Sequence, residues 1–146
     1  YWTSYLHRHG VKQYTGVDIS DYAAAKLRQR FPEYRFLCLD ITEGLGDLGE
    51  GSADMVVMID VTQHIVDGDK FARAMENVRK LLKPCGTIIL TSNLSESLKT
   101  DDFYVKRRPL VAYQKFFPDF EFSQPLPFNA KYIFSLQRKS PNSPLP

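Results

Sequence analysis

The run Met55-Val56-Val57-Met58-Ile59, closed by Asp60, restricts the possible folds more than any other stretch of this chain. Five apolar residues without polar alternation read as a strand covered on both faces, the pattern of a parallel sheet held between helices. In open sheets of that kind a ligand sits in the crevice beyond the carboxyl ends of the strands. Asp60 then stands at the rim of a pocket, with Gln63 and His64 in the loop just past it. Two earlier runs repeat the pattern. Tyr14-Thr15-Gly16-Val17 ends in Asp18, and Phe36-Leu37-Cys38-Leu39 ends in Asp40. A single carboxylate at a strand end is as well explained by a helix cap. Three in series are better explained by a polar ligand.

The chain between these runs alternates strand and helix. Trp2, Tyr5, Leu6 and His9 fall at helical spacing over residues 1–9, and Gly10 is a natural stop. A strand follows over 13–18. Ser20 suits the N-cap of a helix running to Phe31, with Ala23, Ala24, Leu27 and Phe31 facing inward and Pro32 closing it. The next strand covers 34–41. After the central run, Asp69 is placed to cap a helix over 70–83 that buries Phe71, Ala74, Met75, Val78, Leu81 and Leu82. Pro84-Cys85-Gly86 turns the chain into a strand over 87–92. Such alternation indicates an α/β sheet with right-handed crossovers.

The rest reads as a polar surface loop over 93–104, then a helix begun at Pro109 that carries Leu110, Tyr113, Phe116 and Phe117. Residues 120–128 and 131–138 form an antiparallel pair, and the Pro/Ser stretch 140–146 is expected to be disordered. One domain, residues 1–139, accounts for the whole pattern.

Gly44-Leu45-Gly46-Asp47-Leu48-Gly49 matches G-x-G-x-x-G, but the dinucleotide fingerprint needs a helix directly after it. Here Gly51-Ser52-Ala53 leads straight into the apolar strand. With no helix N-terminus to receive a pyrophosphate, the glycines read as a flexible connection. A formal net charge of +2 gives no nucleic-acid footprint and no attraction to anionic lipid. No apolar run approaches the roughly 20 residues that cross a bilayer. Cys38 in a strand predicted to be buried and Cys85 in a turn make a poor disulfide pair, which fits a reducing, cytoplasmic setting. His7 and His9, two apart on a helix, point different ways and make a poor metal pair, so no metal site is expected.

Taken in order, these motifs resemble the class I S-adenosylmethionine-dependent methyltransferases along nearly the whole chain. Gly16-Val17-Asp18-Ile19-Ser20 is similar to the family's second strand, Leu39-Asp40-Ile41 to its third, and residues 54–65 to its fourth strand and loop. Leu81-Leu82-Lys83-Pro84-Cys85-Gly86 resembles the L-K-P-G-G turn before the fifth strand, with Cys85 where the family has glycine. The terminal antiparallel pair matches the family's reversed strand. The resemblance implies a three-layer, Rossmann-like sheet, mostly parallel, with S-adenosyl-L-methionine as cofactor. It implies that Asp18 accepts from the ribose hydroxyls and Asp40 from the adenine amino group, that Ile19 and Ile41 supply apolar walls, and that Asp60 and Val61 help line the site. The alternative role of Asp18 is a cap on the following helix, for which Ser20 is better placed. The resemblance also implies that a first strand and glycine-rich loop precede Tyr1, whose neighbours correspond to the helix after that loop.

His64 is the best candidate for a general base, since imidazole titrates near neutral pH; its alternative is simple packing beside the cofactor. Arg107 and Arg108 would meet an anionic acceptor or remain solvated, and Tyr104 and Tyr113 would close over the acceptor or join the core. The short segment after the fifth strand favours a small-molecule or sugar-type acceptor. A protein or peptide N-methyltransferase and a catalytically silent binding module are the competing functions. The oligomeric state is not legible in the sequence.

Overall fold

The computed structural model describes residues 2–101 and 104–139. The chain divides into two compact units, Tyr1–Asp40 and Ile41–Pro146.

The first unit contains α1 (Trp2–Arg8), β1 (Thr15–Asp18), α2 (Asp21–Arg30) and β2 (Arg35–Cys38). β1 and β2 pair in parallel, with Gly16 opposite Phe36 and Asp18 opposite Cys38. Ser20 caps α2 as its sequence position predicts, its Oγ accepting from the Ala23 amide at 3.2 Å. Ala24, Phe31, Tyr34 and Phe36 form the buried core, with Tyr14 and Leu27 packed against it. Tyr14 meets Tyr34 edge-on at 5.2 Å, a geometry that places positive ring edge on negative ring face. Cys38 departs from expectation. It is exposed at the last residue of β2, which is shorter than the predicted 34–41 strand.

The second unit begins with β3 (Ala53–Met58), a 3-10 turn (Thr62–His64), α3 (Gly68–Leu81) and β4 (Leu82–Ser92). It continues with β5 (Lys99–Asp101), β6 (Val105–Arg107), α4 (Val111–Gln114), β7 (Phe120–Phe122), β8 (Leu126–Phe128) and β9 (Lys131–Arg138). Its main sheet runs β3-β4-β9-β7, with β8 also paired to β9. β3 and β4 are parallel, and β9 is antiparallel to β4, β7 and β8. The reversed strand therefore lies where the terminal alternation placed it. Phe134 and Leu136 of β9 point into the core with Ile88 and Leu90 of β4.

α3 buries Phe71, Ala74, Met75, Val78 and Leu81, the three-and-four spacing of an amphipathic helix. Its cap is Asp67 rather than Asp69. Asp67 is extended, and its Oδ1 accepts from the Lys70 amide at 2.8 Å, so the helix starts two residues earlier than predicted. Asp67→Ala is therefore expected to cost about 1 kcal/mol in urea unfolding. Asp69→Ala, which loses only an interaction with the helix dipole, should cost a few tenths of a kcal/mol.

Three other expectations are corrected. The central run is not covered on both faces: Met58 is buried, but Met55 is 55% and Val57 40% exposed. Val56 and Met58 share the face that packs into the core, whereas Met55 and Val57 alternate onto the opposite face. The 93–104 segment is not simply a loop, because β5 pairs with β6 as an antiparallel ribbon. The stretch before Thr87 is extended from Leu82 onward, with a register shift against β3 in place of the compact turn at 84–86. The glycines at 44–49 lie in turns that lead into β3 with no helix after them, as the dinucleotide motif would have required. The 140–146 tail lies outside the described residues.

Candidate functional site

In the first unit, Asp18 stands at the carboxyl end of β1 and is exposed. Its Oδ1 accepts from the Ser20 amide at 2.8 Å, an Asx-type bond that turns the chain toward α2. Because Ser20 caps the helix, Asp18 is not used up as a cap. An ionised carboxylate has about four lone-pair sites, so one backbone donor leaves capacity for ligand hydroxyls. A hollow of about 220 Å³ runs along β1 and includes Gly16, Val17 and Asp18 with Trp2 and Tyr14. Ile19, 76% exposed, lies beside the carboxylate as a bare apolar surface. An exposed carboxylate beside an exposed apolar side chain can accept from ligand hydroxyls and pack against an apolar ligand face. Asp40 is half-buried two residues past β2. A larger depression of about 580 Å³, lined by Ser4, His7, Arg8, Arg30 and Phe31, involves none of the strand-end residues.

In the second unit, Ile41 packs against the main core and its carbonyl accepts from Asn77 Nδ2 at 2.8 Å. Asp60 follows β3 with a φ of +59°, a left-handed conformation uncommon outside glycine and tolerated best by Asp and Asn. Its amide donates to Thr91 Oγ1 at 3.0 Å, and its Oδ1 accepts from Gln63 Nε2 at 3.3 Å and from Lys131 Nζ. Burial pushes the Asp60 carboxyl upward, but the Lys131 hydrogen bond and charge, with the Gln63 amide, hold it below the usual range. Lys131 is delivered by a two-residue hairpin turn, Asn129 and Ala130, both at positive φ as a type I′ turn requires. Val61 is 37% exposed beside them.

Below this lip runs a buried chain of hydroxyls. Tyr113 Oη donates to Thr62 Oγ1 at 3.0 Å, and Thr62 Oγ1 donates to the Thr91 carbonyl at 3.1 Å. Tyr113 has one hydroxyl hydrogen, so Ser92 Oγ must be the donor in its 2.6 Å bond to Tyr113 Oη. Burial raises the Tyr113 pKa, opposed by the bonds to Ser92 and Thr62 and by the nearby Arg108 charge. His64 is exposed, and its Nδ1 lies 3.1 Å from the Tyr104 carbonyl. A carbonyl only accepts, so Nδ1 carries the proton and Nε2 of the neutral ring is the basic nitrogen.

Arg108 is the largest departure from expectation. It is 2% exposed, neither solvated nor open to an acceptor. Its Nη1 donates to the Thr62 carbonyl at 3.0 Å, its Nη2 to the Ile65 carbonyl, and the guanidinium lies 3.9 Å from the Phe71 ring centre. Burial lowers its pKa, with Tyr113 opposing. Tyr113 is core, whereas Tyr104 is 61% exposed. Sequence reasoning missed Lys131, whose one signal is the tight Asn129-Ala130 turn before it. It also misplaced Arg108, since an arginine next to a proline carries no sign of burial. Among the described residues no cluster of three or more His, Cys, Asp or Glu is placed to hold a metal ion.

A family model described as a methyltransferase domain matches residues 1–90. A 1,6-didemethyltoxoflavin-N1-methyltransferase of Burkholderia thailandensis, solved with bound 1,6-didemethyltoxoflavin and S-adenosylhomocysteine, superposes with a TM-score of 0.73 at 18% identity. That match covers 94% of this chain and 66% of the other. An S-adenosylmethionine-dependent methyltransferase of Methanosarcina mazei superposes with a TM-score of 0.75 at 14% identity, over 93% of this chain and 86% of the other. A curated phosphoglucosamine mutase of Nitrobacter winogradskyi is 32% identical over 83 residues, 51% of this chain. The chain spans only 18% of that relative's length. The family match covers more than half of the residues, and the mixed α/β fold is shared with solved methyltransferases: the chain belongs to the methyltransferase domain family.

Proposed function

We propose that this protein is a class I S-adenosylmethionine-dependent methyltransferase acting on a small-molecule or sugar-type acceptor. The observation that carries the reading is the exposed Asp18 carboxylate at the end of β1, beside bare Ile19, within the segment that the family model matches. The bound cofactor supplies a sulfonium methyl group already activated for displacement. The chain's own residues hold and orient. Asp18 accepts from ribose hydroxyls in charge-assisted hydrogen bonds. Asp40 accepts from the adenine amino group, and Ile19 gives the base an apolar wall, the part that the resemblance also assigns to Ile41 of the second unit. In the second unit, Val61 and the Asp60 backbone are the groups open to a ligand, since the Asp60 carboxylate already serves Lys131 and Gln63. His64 Nε2 is the nitrogen able to take a proton from an acceptor that does not lose it unaided.

Support for a small acceptor comes from the toxoflavin-type methyltransferase among the structural neighbours. Among the described residues no helix is long and apolar enough to cross a membrane. The test is incubation of the full-length protein with methyl-labelled S-adenosylmethionine and, separately, a low-mass metabolite fraction and a denatured protein fraction. Label is expected in the low-mass fraction. Label confined to polypeptide would overturn the acceptor class, and failure to bind S-adenosylhomocysteine in calorimetry would overturn the activity.

A further inference from the structure

Arg108 is a buried cation, and among the described residues no carboxylate pairs with it. A charge taken out of water at such cost needs strong hydrogen bonds in return. Here both arms of the guanidinium are spent on one short segment: Nη1 on the Thr62 carbonyl and Nη2 on the Ile65 carbonyl. These carbonyls bracket the 3-10 turn that carries Gln63 and His64. The plane of the guanidinium is fixed from below by Phe71 of α3. Its backbone is fixed as well, the Arg108 amide donating to the Asn93 carbonyl at 3.3 Å and the Ser95 amide to the Arg108 carbonyl at 3.3 Å. Four residues earlier in the same segment, the Tyr104 carbonyl accepts a hydrogen bond from His64 Nδ1. The strip 104–108 therefore holds the turn twice, at the imidazole and at both flanking carbonyls.

We infer that Arg108 is a positioning residue, whose forked bonds to Thr62 and Ile65 set the 61–65 turn and so aim His64 and Val61 at the ligand. The inference rests on the methyltransferase reading for what is aimed at, but not for the clamp itself. The geometry needs a planar fork. A lysine ammonium keeps the charge and most of the stem, yet donates from a single point and cannot span two carbonyls in the same plane.

Arg108→Lys, made in the full-length protein, tests this by amide hydrogen exchange and by S-adenosylhomocysteine calorimetry. Loss of one buried charge-assisted bond should speed exchange of the His64 and Ile65 amides about tenfold, while the Ile88 and Leu90 amides of β4 change less than about twofold. Affinity for S-adenosylhomocysteine should fall several-fold with it. Arg108→Met, which leaves both carbonyls unanswered, should show the same pattern more strongly or lose global protection. Faster exchange spread equally over β4 and the turn in Arg108→Lys would make the residue merely structural and overturn the inference. So would unchanged exchange at His64 and Ile65, or unchanged affinity despite a loosened turn. If the unmutated protein does not bind S-adenosylhomocysteine, the proposed activity fails, while the exchange pattern still decides whether Arg108 holds the turn.

Discussion

Asp18→Ala is expected to weaken S-adenosylhomocysteine binding by roughly 10- to 100-fold, the size of one or two lost hydrogen bonds to a charged acceptor. The alanine variant also removes the 2.8 Å bond from the Ser20 amide, so on its own it mixes a ligand effect with a local one. Asp18→Asn separates them. Its amide oxygen still accepts from Ser20, but the charge is gone and one acceptor becomes a donor. A hydroxyl pair bound by the carboxylate loses most of its affinity in both variants. A carboxylate that only shapes the turn into α2 is compensated in the asparagine. Equal binding by Asp18→Asn and the unmutated protein in calorimetry would remove Asp18 from the site. Because Ser20 caps α2 through Ala23, thermal stability should change little in either variant.

Gly16→Ala is the second large effect, expected to cost about 1–3 kcal/mol in urea unfolding because it overfills a packed position. A Cβ at Gly16 would lie 2.5 Å from Phe36 Cδ1 and 2.7 Å from Cε1. Phe36 is the residue paired with Gly16 across the β1–β2 ladder, and it is 4% exposed. Tyr14 packs edge-on against its ring at 5.9 Å, so the ring cannot swing away cheaply. Relief must come from β1 itself, which would tilt the end of the strand and Asp18 with it. Adding Phe36→Leu should recover part of the stability by removing the contacted ring carbons. Unfolding of Gly16→Ala at the same urea concentration as the unmutated protein would show that the contact is relieved without strain. In the sequence Gly16 reads only as part of a strand motif. Its necessity depends on which residue of β2 stands opposite, and register is a property of the paired strands.

The division between sequence and structure follows the range of the interactions. Elements stabilised by neighbours three or four residues away were legible: α2 with Ser20 at its cap, α3 with its buried stripe, and β9 with Phe134 and Leu136 turned inward. Those are consequences of helical and strand periods acting on apolar spacing. So was the placement of aspartates at strand ends, because chain order alone puts Asp18 at the end of β1 and Asp60 just past β3. Even locally there were limits: Asp67 and Asp69 are both competent caps, and the extended backbone at Asp67 selected between them.

What only the tertiary structure decided involves partners far apart in the chain. Lys131 reaches Asp60 across 71 positions, and Arg108 reaches Thr62 across 46. No spacing rule connects such residues, and the charge of an arginine beside a proline argues for solvent. The same holds for β3, whose unbroken apolar run implied burial on both sides, while only the face of Val56 and Met58 packs into the core and Met55 and Val57 stay exposed. Apolar pattern specifies which residues profit from leaving water. Which of them do so, and which polar groups are drawn in to satisfy the backbone they bury, is settled only when distant segments meet.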